Sequence, residues 1–239
     1  MIAARYIPGW IDGLLELLYP PRCLLCQALL PARSPDPLCS RCRPLFSHTG
    51  QICPQCERIY SRRAECACLA ENAPLQGLFA LSWYADDWRR MLHRLKYRGE
   101  RRIARPLGSW LGRLLASEIS WPVALVAPLP LYHRREKERG YNQSALIARA
   151  AARELRLPLV HLLQKTRQTA SQTGFSYAER RKNVAGVYSP VDPLPRPCAV
   201  LLVDDIYSTG ATLREAASVL RQCGFTVFGA VAAYNPRLF

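Results

Sequence analysis

Acidic residues are scarce in this chain of 239 residues: 18 Asp and Glu stand against 33 Lys and Arg, a formal net charge of +15. Little is left to attract a cationic partner, and an anionic one is expected, either a phosphate-bearing small molecule or a nucleic acid. Long apolar runs are missing too. No stretch approaches the ~18 uninterrupted apolar residues of a membrane helix, so no membrane span is expected. Nor is a secretory signal legible, because Asp12 and Glu16 interrupt the apolar face of residues 10–19 and no small-residue cleavage site follows. Residues 1–20 read as an amphipathic segment, and the expected location is cytoplasmic. A covalent catalytic triad is likewise not found, and His133 stands alone in a basic segment.

What is abundant is cysteine, ten in all, and in a reducing compartment their spacing is read for metal before disulfides. Cys23-x-x-Cys26 and Cys39-x-x-Cys42 are two knuckles about a dozen residues apart, the spacing of a tetrahedral zinc site. Cys53-x-x-Cys56 with Cys66-x-Cys68 gives a second set, in which the single residue of the last pair tightens the chelate. There His48 is an alternative ligand, and an interleaved ligand order stays open. One or two structural Zn²⁺ ions are expected over a double zinc ribbon at residues 21–75, where metal supplies much of the folding energy. Cys198 and Cys223 read as small buried hydrophobes. The ribbon is rich in arginine, so both nucleic-acid contact and partner docking suit it.

Residues 76–239 read as an α/β domain. Strands are expected at 78–84, 123–128, 158–163 and 200–203, and helices from Asp86 to Gly99, at 103–119, 142–155 and 212–223. Val200 to Val203 form a fully apolar run suited to a parallel sheet covered on both faces. It delivers Asp204 and Asp205 to the carboxyl edge, where open α/β sheets bind ligands. Ile206, Tyr207, Ser208, Thr209, Gly210, Ala211 and Thr212 follow, a hydroxyl-rich turn at a helix start, whose free N–H groups and dipole suit a phosphate. Adjacent carboxylates for the vicinal ribose hydroxyls beside a phosphate cradle describe a ribose 5-phosphate site. Basic residues at Lys96, Arg98, Arg134, Arg135 and Arg139 suit a diphosphate, and residues 165–174 read as a mobile lid carrying Arg167.

The run from Val203 to Thr212 resembles the phosphoribosyl-pyrophosphate (PRPP) loop of type I phosphoribosyltransferases. With the paired cysteine knuckles, residues 93–99 (HRLKYRG), residues 139–143 (RGYNQ), Arg167-x-Thr-x-x-Gln172 and Arg180-x-x-Asn183, nearly the whole chain resembles the ComF/GntX family. These are competence-protein-like phosphoribosyltransferases with an amino-terminal double zinc ribbon, from which Cys66-x-Cys68 departs at the last knuckle. The resemblance implies a type I phosphoribosyltransferase-like parallel sheet flanked by helices, PRPP bound with Mg²⁺, Asp204 and Asp205 as the catalytic pair, and a link to DNA uptake or nucleotide metabolism. Single-stranded DNA or a DNA-uptake helicase is the further partner to consider. A non-catalytic nucleic-acid or docking module that keeps the ribose-phosphate site is the competing reading.

Overall fold

Alternation along two of the strands shows how the sheet is covered. Val200 and Leu202 face one layer, and Leu201 and Val203 face the other; Leu78 and Ala80 alternate with Phe79 and Leu81 in the same way. All are buried, so apolar residues recur at every position rather than every second one, as a two-sided sheet demands. The computed structural model of the chain describes residues 20–32, 34, 36–43, 48–60, 66–68, 70, 72–168 and 185–235. Residues 1–19, most of the expected lid and the Arg180–Asn183 segment lie outside the described residues.

The strands are β1 (His48–Ile52), β2 (Ile59–Tyr60), β3 (Gly77–Trp83), β4 (Leu125–Pro128), β5 (Leu163–Lys165), β6 (Tyr188–Pro190), β7 (Ala199–Tyr207) and β8 (Thr226–Tyr234). Six of them form one sheet in the order β2-β1-β3-β8-β7-β4, and β5 pairs with β6 in a separate ribbon. The β3-β8-β7-β4 part is parallel, whereas β1 runs antiparallel to β2 and β3. The expected strand at 158–163 contributes a parallel bridge, Leu159 to Val126, beside β4 and then enters β5.

Helices α1 (Asp86–Tyr97), α2 (Ala104–Glu118), α3 (His133–Arg139), α4 (Gln143–Leu155) and α5 (Ala211–Gln222) connect these strands. α5 lays Leu213, Ala216, Ala217 and Leu220 on the Val200 and Leu202 layer. α2 and α4 pack tightly against each other, because Gly108 and Gly112 let α2 approach the α4 backbone. A Cβ on Gly112 would come within 2.8 Å of the Ala151 carbonyl oxygen, so alanine there forces the helices apart.

α3 corrects the expectation of a loop after β4. Residues 133–139 hold neither proline nor glycine, Arg134 and Glu138 pair at helical spacing, and Gly140 in the left-handed region ends the helix. The helix expected to be capped by Asp86 begins instead with Asp86, whose carboxylate and that of Asp87 occupy the first turn, where the helix dipole favours negative charge.

The chain divides into two compact units, residues 1–46 and 47–239. Each contains one of the cysteine quartets. In the smaller unit, the described residues form a knuckle flanked by an antiparallel bridge from Arg22 to Leu29. In the larger unit the second knuckle is the turn between β1 and β2, so it is built onto the edge of the main sheet.

Candidate ribose-phosphate site

β7 runs four apolar residues through the core and then places Asp204 and Asp205 in a cavity of about 400 Å³ at the carboxyl ends of the parallel strands. Both carboxylates are buried. The Asp204 side chain accepts a 2.8 Å hydrogen bond from Ser144 Oγ, at the start of α4. That of Asp205 lies 2.8 Å from Lys96 Nζ, at the end of α1. Burial, followed by the neighbouring Asp205, pushes the Asp204 carboxyl up to about 7, against the opposing pull of Lys96 and Ser144. Burial works against the charged form of Lys96, but Asp205, with smaller help from Asp204 and Tyr97, outweighs it and raises the ammonium above its ordinary value.

After β7 the chain turns through Ser208, Thr209 and Gly210 into α5. Gly210 adopts φ +68°, and a Cβ there would run into the Tyr207 phenol and the Arg214 guanidinium. Glycine is therefore required twice, by the left-handed backbone and by the close packing underneath. The loop lines the cavity from Ile206 to Gly210 and again at Thr212, while Ala211 is buried behind it.

The two motifs flanking α1 and α3 meet at this cavity. The Tyr141 hydroxyl donates to the Leu95 carbonyl, Arg101 donates to the Gly140 carbonyl at 2.7 Å, and the Arg139 guanidinium stands 5.5 Å from the Tyr97 ring centroid. Asn142 caps α4 by accepting from the Ser144 and Ala145 amides and ties it to the chain after β4 by donating to Leu129 O. Motifs far apart in sequence thus hold Lys96 and Ser144 against the two aspartates.

Of the basic residues singled out in the sequence, Lys96, Arg135 and Arg139 line the cavity. Arg98 is exposed, Arg134 is exposed and paired with Glu138, and Arg167 is exposed and donates to the Ala185 carbonyl at 2.9 Å; these three do not line it. Tyr84, Tyr132, Lys165, Gln168 and Tyr188 do, and sequence reasoning did not select them. Lys165 and Tyr188 arrive together because β5 and β6 pair them in register. Burial lowers the Lys165 ammonium and raises the Tyr188 hydroxyl, and Asp204 raises both.

The cysteines form two sets in sequential rather than interleaved order, Cys23, Cys26, Cys39 and Cys42, and Cys53, Cys56, Cys66 and Cys68. Within each set the sulfurs lie within 4.8 Å of one another, with contacts of 3.6 Å (Cys26–Cys39) and 3.2–3.5 Å across the second set. A tetrahedron of Zn–S bonds near 2.3 Å has edges of about 3.8 Å, so each quartet fits a zinc ion. Backbone amides support the thiolates: the Gln55 and Cys56 amides point at Cys53 Sγ, and hydrogen bonding from the Cys42 and Cys68 backbones pulls Cys39 and Cys66 down to about 7. The side chain of His48 lies outside the described residues. Cys198 and Cys223 pack against the apolar core.

The two knuckles repeat each other, which their sequences alone do not announce. Gln27 and Glu57 both take positive φ, 66° and 61°, directly after the second cysteine. Their amides donate to Cys23 O and Cys53 O at 3.0 and 2.9 Å, and the Cys23 and Cys53 amides donate to Ala28 O and Arg58 O, both at 2.8 Å.

Residues 142–237, which include α4, β7 and the loop, match the Phosphoribosyl transferase domain family. The chain is 30% identical to DNA utilization protein YhgH of Escherichia coli K12, over 87% of this chain and 94% of that protein. The chain belongs to the ComF family. It is similar in the same way to competence protein F of Haemophilus influenzae (29% identical, 85% of this chain and 92% of that protein) and to competence protein ComFC of Bacillus subtilis (28%, 84% and 89%). This ComF-family chain therefore joins a phosphoribosyltransferase-type domain to an amino-terminal cysteine ribbon. No helix among the described residues is long and apolar enough to cross a membrane.

Proposed function

We propose that the cavity binds PRPP with Mg²⁺ and that the domain transfers its ribose 5-phosphate group to an acceptor nitrogen. The observation that carries this reading is the single turn between β7 and α5, which sets two buried carboxylates beside a hydroxyl-rich helix start in one cavity. Asp204 and Asp205 accept hydrogen bonds from the ribose hydroxyls, and Ser208, Thr209, Gly210 and Thr212 cradle the 5-phosphate. Arg135, Arg139 and Lys165 face the diphosphate. Asp204 and Asp205 are the carboxylates that would hold Mg²⁺ arriving with PRPP, and the ion would supply charge neutralisation for the departing pyrophosphate. The acceptor attacks the anomeric carbon as its bond to pyrophosphate oxygen breaks, and the aspartates stabilise positive charge on the ring. Zn²⁺ in the two quartets has a structural role, and the expected setting is the cytoplasm.

A second reading is favoured by the surface. Tyr97 is exposed and stands beside Arg139, and Arg98, Arg101 and Arg102 are exposed nearby in sequence, an arrangement of basic and aromatic groups suited to single-stranded DNA. The relatives named for competence and DNA utilization support a link to DNA uptake. Titration of the zinc-loaded chain with Mg-PRPP, followed by a screen of bases for pyrophosphate release, tests the first reading. Binding that disappears in Asp204→Asn/Asp205→Asn supports it, and unchanged affinity overturns it. Affinity for single-stranded DNA that falls steeply with salt supports the second reading.

A further inference from the structure

Arg214, on the first turn of α5, occupies a position that the ribose-phosphate reading leaves unused. Its guanidinium donates to three oxygens: the Tyr207 hydroxyl at 2.6 Å, the Thr209 carbonyl, and the Pro54 carbonyl at 3.2 Å. The first two belong to the end of β7 and to the phosphate loop. The third lies between the metal-binding residues Cys53 and Cys56, inside the ring that a zinc ion closes.

A second connection runs alongside. Glu57, directly after the second cysteine of that knuckle, accepts a 3.1 Å hydrogen bond from the Tyr234 hydroxyl at the end of β8. The Tyr234 ring packs against Tyr207, with centroids 5.9 Å apart, and the Asn235 amide donates to Tyr207 O at 2.8 Å. Tyr207 is almost fully buried, and with Arg214 it forms the floor on which Gly210 rests. α5 has no side-chain N-cap bond and Gly210 has a wide choice of backbone conformations, so the floor beneath it bears on how the loop is held.

We infer that Arg214 is a positioning residue that makes the Cys53-Cys56-Cys66-Cys68 cluster a structural part of the phosphate loop, so that zinc there sets how firmly the cradle is held. The inference rests on the reading of the cavity as a ribose-phosphate site. Zinc closing the Cys53-to-Cys56 ring fixes the direction of the Pro54 carbonyl and the place of Glu57. With the ring open, the guanidinium loses its anchor on the Pro54 carbonyl, and the Tyr234 hydroxyl loses its bond to Glu57. A cradle that must be ordered at the moment of binding takes its ligand more weakly.

Amide hydrogen exchange on the full chain reads the coupling without any ligand. Removing zinc is expected to speed exchange at residues 207–212 at least tenfold. Cys53→Ser can unfold the knuckle outright, so Arg214→Gln, with zinc content measured and found unchanged, is the decisive variant. It is expected to speed the same amides while leaving the core amides of β3 and β8 protected. Arg214→Lys, which keeps the charge but not the fork, should restore protection only in part. In parallel, calorimetric titration with Mg-PRPP should give roughly tenfold to hundredfold weaker binding for Arg214→Gln, the range of one or two hydrogen bonds to a charged group. Unchanged exchange at 207–212 on both zinc removal and Arg214→Gln overturns the coupling, whether or not PRPP binds. Faster exchange there, with no Mg-PRPP binding to the zinc-loaded wild type, upholds the coupling and overturns the ribose-phosphate reading.

Discussion

The two cysteine knuckles share a backbone design and differ in what their outward groups touch. In the first, the side-chain amide of Gln27 turns back to donate to Cys23 O at 2.9 Å, closing the knuckle on itself. In the second, Glu57 at the equivalent position accepts from Tyr234, and the Pro54 carbonyl accepts from Arg214. The same four-thiol arrangement thus closes on itself in one place and reaches the β7–α5 turn in the other. Donor type and spacing identify a metal site, whereas the residues between and after the ligands decide what the metal supports.

Substitutions that act on one knuckle at a time should separate the two roles. The largest effect is expected from Cys53→Ser, because structural zinc contributes on the order of 10 kcal/mol of apparent binding energy to its fold. Hydrogen exchange should show residues 48–60 and 207–214 loosened together, whereas Cys23→Ser loosens residues 21–43; loss confined to 48–60 in the first variant would erase the contrast. Lys96→Met asks how much of the cavity is independent of zinc. It leaves the Asp205 carboxylate buried without its cation and should cost about 3 kcal/mol in thermal or urea denaturation. Gly210→Ala, at φ +68° and against Tyr207 and Arg214, should cost about 2 kcal/mol and weaken ribose 5-phosphate binding, with both knuckles intact by zinc content.

A smaller effect is set by pH. The Asp204 carboxyl titrates near 7 in the fold, above the unfolded value of about 4, so the stability it contributes is full below pH 4 and is lost as pH rises through 7. Ribose hydroxyls favour the ionised form, so affinity should rise about tenfold from pH 6 to pH 8, and Asp204→Asn should flatten that profile. The smallest effect belongs to Gln27→Ala, about 1 kcal/mol confined to its own knuckle and read by zinc affinity.

Much of this was legible in the chain because it is local. The β7 strand, the aspartate pair, the loop and the cysteine quartets each occupy a short stretch whose residue types name their chemistry. What escaped is what folding brings together. Lys165 and Tyr188 reach the cavity only through the β5–β6 pairing, across 22 intervening positions. Nothing local in the sequence singles out Arg214, since its partner Pro54 lies 160 positions away. One signal was available: residues 133–139, read as a helix, place Arg135 and Arg139 on one face at i, i+4, and Arg134 with Glu138 on the next. That reading separates the cavity arginines from the solvent-facing pair.

The most direct test of the site itself is amide exchange of the zinc-loaded chain with and without Mg-PRPP. Slowed exchange at residues 204–212, absent in Asp204→Asn/Asp205→Asn, is the predicted result. Protection that appears elsewhere, or persists in that double variant, would contradict the assignment of the β7–α5 turn as the ribose-phosphate cradle.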